Sequence, residues 1–431
     1  MIPFGAGTRS RLLPLSVPMR YFGAAVGFQV LAWALLVAAP EALSDFRGGL
    51  GPAFAALHAV TLGVLALAAI GASLQLLPVA TRQPVRSVPA ARLIWWLLVP
   101  GLLLFIGGSA AHDLSIMAPG AAAAFVALAA YCWLLFENLR RARGMRAIRA
   151  YGWAALACLA LALALGAALV AHYAYGFALE RSGIALAHLV LAGYGFMGLL
   201  ALGLSTFLLP MFALAPPPSE RLTLAALALG LGAIALALAA IALRLEGLLV
   251  LAAATGLAAA LAHVIALERS LRAGLRPPLG AAFVLVRVSW GCLLASLALG
   301  VALALGAAPE RAQALFGALL VAGWLLTFLL AVLQRIVPFL ASVHAASASR
   351  VPARVSAMTP ERTLDVHRIL HLCALGALLV GIAAGSVWLV RLGALAGFAA
   401  AIAYAVFFGT VMLRLRATHS GGRPDVLQPT N

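Results

Sequence analysis

The segment FAALHAVTLGVLALAAIGASLQLLP, residues 54–78, decides the fold because it is almost entirely apolar and long enough to cross a lipid bilayer. A spanning helix needs about 20 apolar residues, since the hydrocarbon core is about 30 Å thick and a helix rises about 1.5 Å per residue. Similar runs recur along the chain and lack the alternation that is typical of a transmembrane β-barrel. The chain is 65% hydrophobic and only 10% charged, which excludes an ordinary soluble protein. We therefore predict an all-α integral membrane protein.

Twelve such runs predict twelve transmembrane helices, with both termini on one side of the membrane. The predicted helices cover residues 20–39, 52–78, 92–111, 115–136, 150–173, 183–211, 221–243, 247–267, 281–307, 311–340, 366–390 and 392–413.

The basic residues are distributed unevenly over the predicted loops. All 29 of them are Arg, the formal net charge is +17, and all but five lie on the side of the termini. The positive-inside rule therefore predicts that both termini are cytoplasmic. Arg without Lys indicates a GC-rich bacterium, which predicts the bacterial inner membrane. We read this charge as orientation and expect no nucleic-acid partner. The five exceptions are Arg47, Arg181, Arg244, Arg311 and Arg391.

A second segment, IALAHLVLAGYGFMGLLALGLSTFLLPMF at residues 184–212, repeats the first. Each has an early histidine, His58 or His188, then a glycine five positions later and a closing Leu-Leu-Pro. A weaker third copy at residues 316–340 keeps the closing proline, Pro338, but has no histidine.

The closing prolines of the three copies lie about 130 residues apart. This period is too long for a solenoid repeat, so it predicts three copies of a four-helix unit. The copies cover about residues 19–140, 149–272 and 280–416. We expect the twelve helices to form three pseudo-symmetric four-helix arcs within one membrane domain.

Twelve helices in three arcs, with a histidine early in the second helix of an arc, resemble subunit I of the haem–copper oxidase superfamily. The resemblance is distant and is nearest to NnrS-like and nitric-oxide-reductase-like membrane proteins. It implies that His58 binds a low-spin, non-covalent b-type haem and that His188 binds copper. The chain departs from the family in residues 221–243, which lack the adjacent pair of histidine copper ligands, and in residues 311–340, which lack the two histidines that hold both haems.

The expected function is therefore haem or copper binding in respiratory or nitric oxide metabolism, without a complete oxygen-reducing centre. If the chain is an enzyme, it is an oxidoreductase. Neutral imidazole is a good ligand for iron and copper. The glycines that follow each histidine leave room either for a flat macrocycle or for close helix packing. The alternative role of both histidines is an interhelical hydrogen bond within the bundle.

Four other histidines are weaker metal candidates. His112 and His172 are predicted on the same side as His58 and His188. His367 and His371 are four residues apart and share one helical face, as two ligands could. Asp365 is close enough in sequence to orient one of these rings. Because a histidine at a helix end usually lies in headgroups or water, we expect His367 and His371 to be interfacial.

Two other functions stay open at this point. All twelve acidic residues are predicted in loops or at helix ends, which weakens proton pumping and ion-coupled transport. A metal-free transporter or permease on the same bundle remains an alternative. The other is a non-catalytic membrane subunit that docks a redox partner. Besides lipid, such a partner or co-subunit is the expected interaction.

Overall fold

The computed structural model describes residues 13–44, 46–176, 180–275, 280–348 and 354–419. Over these residues the chain is helical, contains no strand, and has twelve helices that are long and apolar enough to span a membrane. The prediction of an all-α multi-pass membrane protein is confirmed. The helices are α1 (Ser16–Ala38), α2 (Pro52–Thr81), α3 (Val88–Ala110), α4 (Leu114–Arg141), α5 (Arg146–Tyr175), α6 (Arg181–Ala213), α7 (Glu220–Leu243), α8 (Glu246–Arg272), α9 (Ala282–Ala304), α10 (Ala312–Ala345), α11 (Glu361–Ala384) and α12 (Val387–Thr418). Two one-turn helices, Glu41–Ser44 and Val355–Met358, lie in loops.

The turn between α11 and α12 lies earlier than predicted. The sequence placed it at Arg391, whereas α11 ends at Ala384 and the chain turns at Gly385, where φ is +66°. Glycine adopts this left-handed conformation without a Cβ penalty, so it ends the helix. Arg391 consequently lies within α12, with its guanidinium 5.4 Å from the ring of Trp388.

Three helices carry a π-helical segment at corresponding places. The segments are Ala59–Ala66 in α2, Val190–Gly198 in α6 and Leu319–Leu326 in α10. A π segment contains an extra residue per turn and is often found at functional sites. In α2 it begins directly after His58, and in α6 it begins two residues after His188.

Helix contacts follow the same period. The third and fourth helices of each predicted unit pack as a hairpin, which pairs α3 with α4, α7 with α8 and α11 with α12. Adjacent units meet where α4 packs on α5, α8 on α9 and α12 on α1. The π segment of α10 contacts those of α2 and α6. These contacts support three four-helix units, and the arc arrangement itself stays a prediction.

One glycine in each π segment allows close approach of the first helix of its unit. A Cβ added at these glycines would lie within 2.8 Å of a side chain on α1, α5 or α9. The sequence equated Gly63 with Gly193, but in the structure Gly195 takes this position. Gly63, Gly195 and Gly323 each lie 15 residues before the closing proline of their helix, whereas Gly193 lies 17 residues before it. The pairs are Gly63 with Phe28, Gly195 with Cys158 and Gly323 with Cys292.

One carboxylate is more buried than predicted. Glu137 was expected just beyond the end of a helix, but α4 continues to Arg141 and the side chain of Glu137 is 3% exposed. Its carboxylate accepts hydrogen bonds from Arg86 at 2.6 Å and from Arg140 at 3.2 Å. The buried charge is therefore paired with cations at the same face of the bundle as the termini.

Candidate functional site

His58 lies at the end of the first α-helical part of α2 and is half-buried. Its Nδ1 is 3.0 Å from the carbonyl oxygen of Phe54. The ring packs at 4.1 Å from the ring of Phe54 and meets Phe105 of α3 edge-on at 5.3 Å, both distances between centroids. Two aromatic rings and one backbone carbonyl therefore fix the imidazole.

His188 is held by a different helix. Its Nδ1 is 2.9 Å from the carbonyl oxygen of Ala162 on α5, and its ring is half-buried. A carbonyl oxygen can only accept, so Nδ1 carries the hydrogen in the neutral imidazole of both His58 and His188. The Nε2 of each ring therefore has a free lone pair.

Packing, rather than a macrocycle, occupies the glycines near these histidines. Five glycines follow His58 and His188 along α2 and α6, and a Cβ added at each would meet a side chain of a neighbouring helix. These side chains fill the space in which a haem would have to lie. The described residues therefore do not form a haem-binding site at these glycines. The contacts are Gly63 with Phe28, Gly71 with Tyr21, Gly193 with Leu320, Gly195 with Cys158 and Gly203 with Tyr151.

The other two histidines predicted on this side differ in their surroundings. His112 is exposed, and its backbone is left-handed at φ +57° in the turn before α4. His172 is half-buried near the end of α5, and its buried Nδ1 has no hydrogen-bond partner. Among the described residues, no group of three or more His, Cys, Asp or Glu side chains is placed to hold a metal ion.

His367 and His371 are buried, so the expectation that they are interfacial is wrong. They are 0% and 1% exposed. The physical reason is that α11 begins at Glu361, five residues before the predicted start at 366. His367 and His371 then lie about 9 and 15 Å along the helix at about 1.5 Å per residue. Asp365, expected to orient one ring, instead pairs with Arg368 at 2.9 Å and is half-exposed.

Side chains of α10 hold both rings. Thr327 Oγ1 is 2.9 Å from Nε2 of His371, and Gln334 Nε2 is 3.1 Å from Nδ1 of His367. The two imidazoles stack with centroids 5.6 Å apart, and Tyr404 of α12 lies 4.9 Å from His367. The remaining ring nitrogens of both histidines and the hydroxyl of Tyr404 are buried without a hydrogen-bond partner.

Tyr404 belongs to a set of three corresponding positions that the sequence analysis missed. Tyr131, His263 and Tyr404 each lie 17 residues after the first residue of α4, α8 or α12. In α4 and α8 this residue bonds to a serine of the second helix of its unit, at 2.8 Å to Ser73 and 3.1 Å to Ser205. The spacing is equal only from the helix starts of the structure, because the predicted start of the last helix, at residue 392, lies five residues after Val387.

The third unit has lost the serine of this pair. Ser73 and Ser205 each lie five residues before the closing proline of their helix. The residue five positions before the closing proline of α10 is Leu333. The hydroxyl of Tyr404 consequently has no serine acceptor, and the buried histidines of α11 lie beside it instead.

The chain matches no protein-family model and no curated protein sequence.

Proposed function

We propose that this chain is a copper-binding protein of the bacterial inner membrane, with both termini cytoplasmic, in respiratory or nitric oxide metabolism. His58 and His188 are the ligands. One observation carries the proposal: each ring donates its Nδ1–H to a backbone carbonyl, which leaves the Nε2 lone pair free. A metal-bound histidine almost always donates its other ring N–H to such an acceptor.

Copper is preferred over haem because of the space and the ligands. The glycine faces are filled by neighbouring side chains, which a macrocycle would have to displace. Two neutral imidazoles from different helices suit copper, which when bound would supply one-electron chemistry and binding of a diatomic gas. The chain's own residues fix the two imidazoles and surround them with apolar and aromatic groups. An electron donor or co-subunit is the partner this proposal requires.

The distant likeness to haem–copper oxidase subunit I supports a metal centre and implies copper at His188; at His58 it implies a haem, which the packed glycines do not fit. It rests on twelve spans, the repeated histidine and the closing proline of α2 and α6. The corresponding π segments in α2, α6 and α10 add a structural period that a triplicated bundle explains.

The test is the metal content of the purified chain and of His58→Ala, His188→Ala and the double variant. Protein in detergent is loaded with Cu(I) under reducing conditions, dialysed, and assayed for copper and iron per chain. His344→Ala is the matched control, because Nδ1 of His344 makes the same kind of bond, 2.9 Å to the carbonyl of Leu340. We expect each ligand variant to lose one copper per chain and the control to keep it.

Equal copper in all four proteins would overturn the assignment to His58 and His188. If the purified chain contains iron and shows a Soret band that the ligand variants lose, the cofactor at His58 and His188 is haem and not copper. A metal-free protein with unchanged stability in the variants would leave the transporter or the docking subunit. Solute uptake into proteoliposomes and co-purification of a redox protein would distinguish those two.

A further inference from the structure

Three buried polar atoms without partners occur together in the third unit. They are Nε2 of His367, Nδ1 of His371 and the hydroxyl oxygen of Tyr404. Leaving a buried polar group unsatisfied is destabilising, so three such groups close together need an explanation. We propose that they form a second site, separate from His58 and His188, which binds a monovalent copper ion.

The hydrogen bonds of Thr327 assign the lone pair of His371. The hydroxyl of Thr327 has one hydrogen and donates it to the carbonyl of Ala322 at 2.8 Å. Thr327 Oγ1 therefore accepts from Nε2–H of His371 at 2.9 Å. In the neutral imidazole the other nitrogen, Nδ1, then carries a lone pair and can bind a metal.

In the structure the amide nitrogen of Gln334 faces Nδ1 of His367 at 3.1 Å, and a half-turn of the amide makes its oxygen the acceptor for Nδ1–H instead. The oxygen and nitrogen of a glutamine amide exchange places by a half-turn, and the network decides which one faces a partner. With the oxygen toward Nδ1, that nitrogen donates its hydrogen and Nε2 is free to bind. Each histidine of α11 then has its second nitrogen anchored by a side chain of α10.

The charge of the site selects the oxidation state. The two histidines and the tyrosine are neutral, and Asp365 of the same helix is engaged with Arg368 and half-exposed. A buried divalent ion without a paired carboxylate would pay a large desolvation cost. Cu(I) carries half that charge and binds neutral imidazoles. The ring of Tyr404 lies beside His367, so its hydroxyl is the third polar group of the site, in a unit where no serine satisfies it.

The experiment uses the full chain in which His58 and His188 are already replaced by alanine, so that only the second site can hold copper. In this background we compare His367→Ala/His371→Ala with His263→Ala. His263 is the matched control, because it is a buried histidine bonded to a serine of a neighbouring helix. Copper per chain and X-ray absorption at the copper edge are measured after loading with Cu(I). We expect one copper with nitrogen ligands, kept in the control and lost without His367 and His371.

Milder variants keep the test valid if the double alanine variant fails to fold. Gln334→Glu supplies a fixed acceptor for Nδ1–H of His367 and should tighten Cu(I) binding against a competing chelator. Gln334→Met removes that acceptor and should weaken binding about ten- to a hundredfold, as loss of such a partner does elsewhere. Tyr404→Phe should change the absorption-edge spectrum.

A chain that binds no copper in the His58→Ala/His188→Ala background would overturn the second site and leave ordered water as the partner of these atoms. So would equal Cu(I) affinity in Gln334→Glu and Gln334→Met. Because His58 and His188 are absent from every protein compared, the result for the second site is independent of the copper site proposed at these two residues.

Discussion

The hydrogen bond between Ser73 and Tyr131 is expected to tie α2 to α4 and to stabilise the first unit. Ser73 Oγ donates to the carbonyl of Ile70 at 3.1 Å, so it accepts from the hydroxyl of Tyr131 at 2.8 Å. The side chains of Ser73 and Tyr131 are 1% and 0% exposed. Ser73→Ala therefore leaves the Tyr131 hydroxyl without its acceptor in an apolar interior.

The expected cost of Ser73→Ala is about 1–2 kcal/mol in the free energy of unfolding. A buried unsatisfied group costs about 1–3 kcal/mol, whereas side-chain hydrogen bonds in a membrane protein couple by only about 0.6 kcal/mol on average and about 1.7 at most. Tyr131→Phe removes the donor and leaves Ser73 with its bond to Ile70. We therefore expect Tyr131→Phe to cost less than Ser73→Ala, and the double variant to cost less than their sum.

The assay is unfolding of the detergent-solubilised protein by SDS, followed by the fluorescence of its 8 Trp. Ser289→Ala is the control, because Ser289 is 0% exposed and donates within its own helix to Val286 at 2.6 Å. Its unfolding free energy should match the unsubstituted chain. If Ser73→Ala is as harmless as Ser289→Ala and the double-mutant cycle shows no coupling, the bond contributes nothing and the reasoning fails.

Two further predictions concern packing and pH. Gly195→Ala brings a Cβ to 2.7 Å from Cys158, and overpacking of this kind costs about 1–3 kcal/mol in the free energy of unfolding. In the control Gly409→Ala the added Cβ meets open space, so this variant should not be destabilised. Equal SDS midpoints for the two variants would contradict the close packing at Gly195. Hydrogen bonds from Ser115 lower the pKa of Asp113, which lies in the turn before α4. Its contribution to stability is thus complete above the unfolded-state pKa and is lost as the pH falls through the lower folded-state pKa. Asp113→Asn should flatten that acid limb of the unfolding curve, and an unchanged limb would assign it to another group.

Much of the fold is predictable from the sequence because membrane insertion depends on local hydropathy. Each spanning helix needs only its own run of apolar residues, so all twelve runs correspond to a helix of the structure. Helix ends were less predictable, since a single glycine at Gly385 moved the last turn away from Arg391. The repeated histidines, His58 and His188, were visible as a pattern, and their role as ligands stays a prediction.

The sequence offered His367 and His371 as weaker metal candidates, but their burial beside Tyr404 could not be predicted, because it depends on which way each helix faces. His367 and His371 read as interfacial along the chain, but α10 and α12 cover the face of α11 that carries them. The same is true of Tyr404, whose exposed or buried state depends on neighbours far away in sequence. Local apolarity therefore determines that the chain spans a membrane twelve times. Helix rotation and packing, which depend on contacts between distant segments, decide which polar groups are enclosed together.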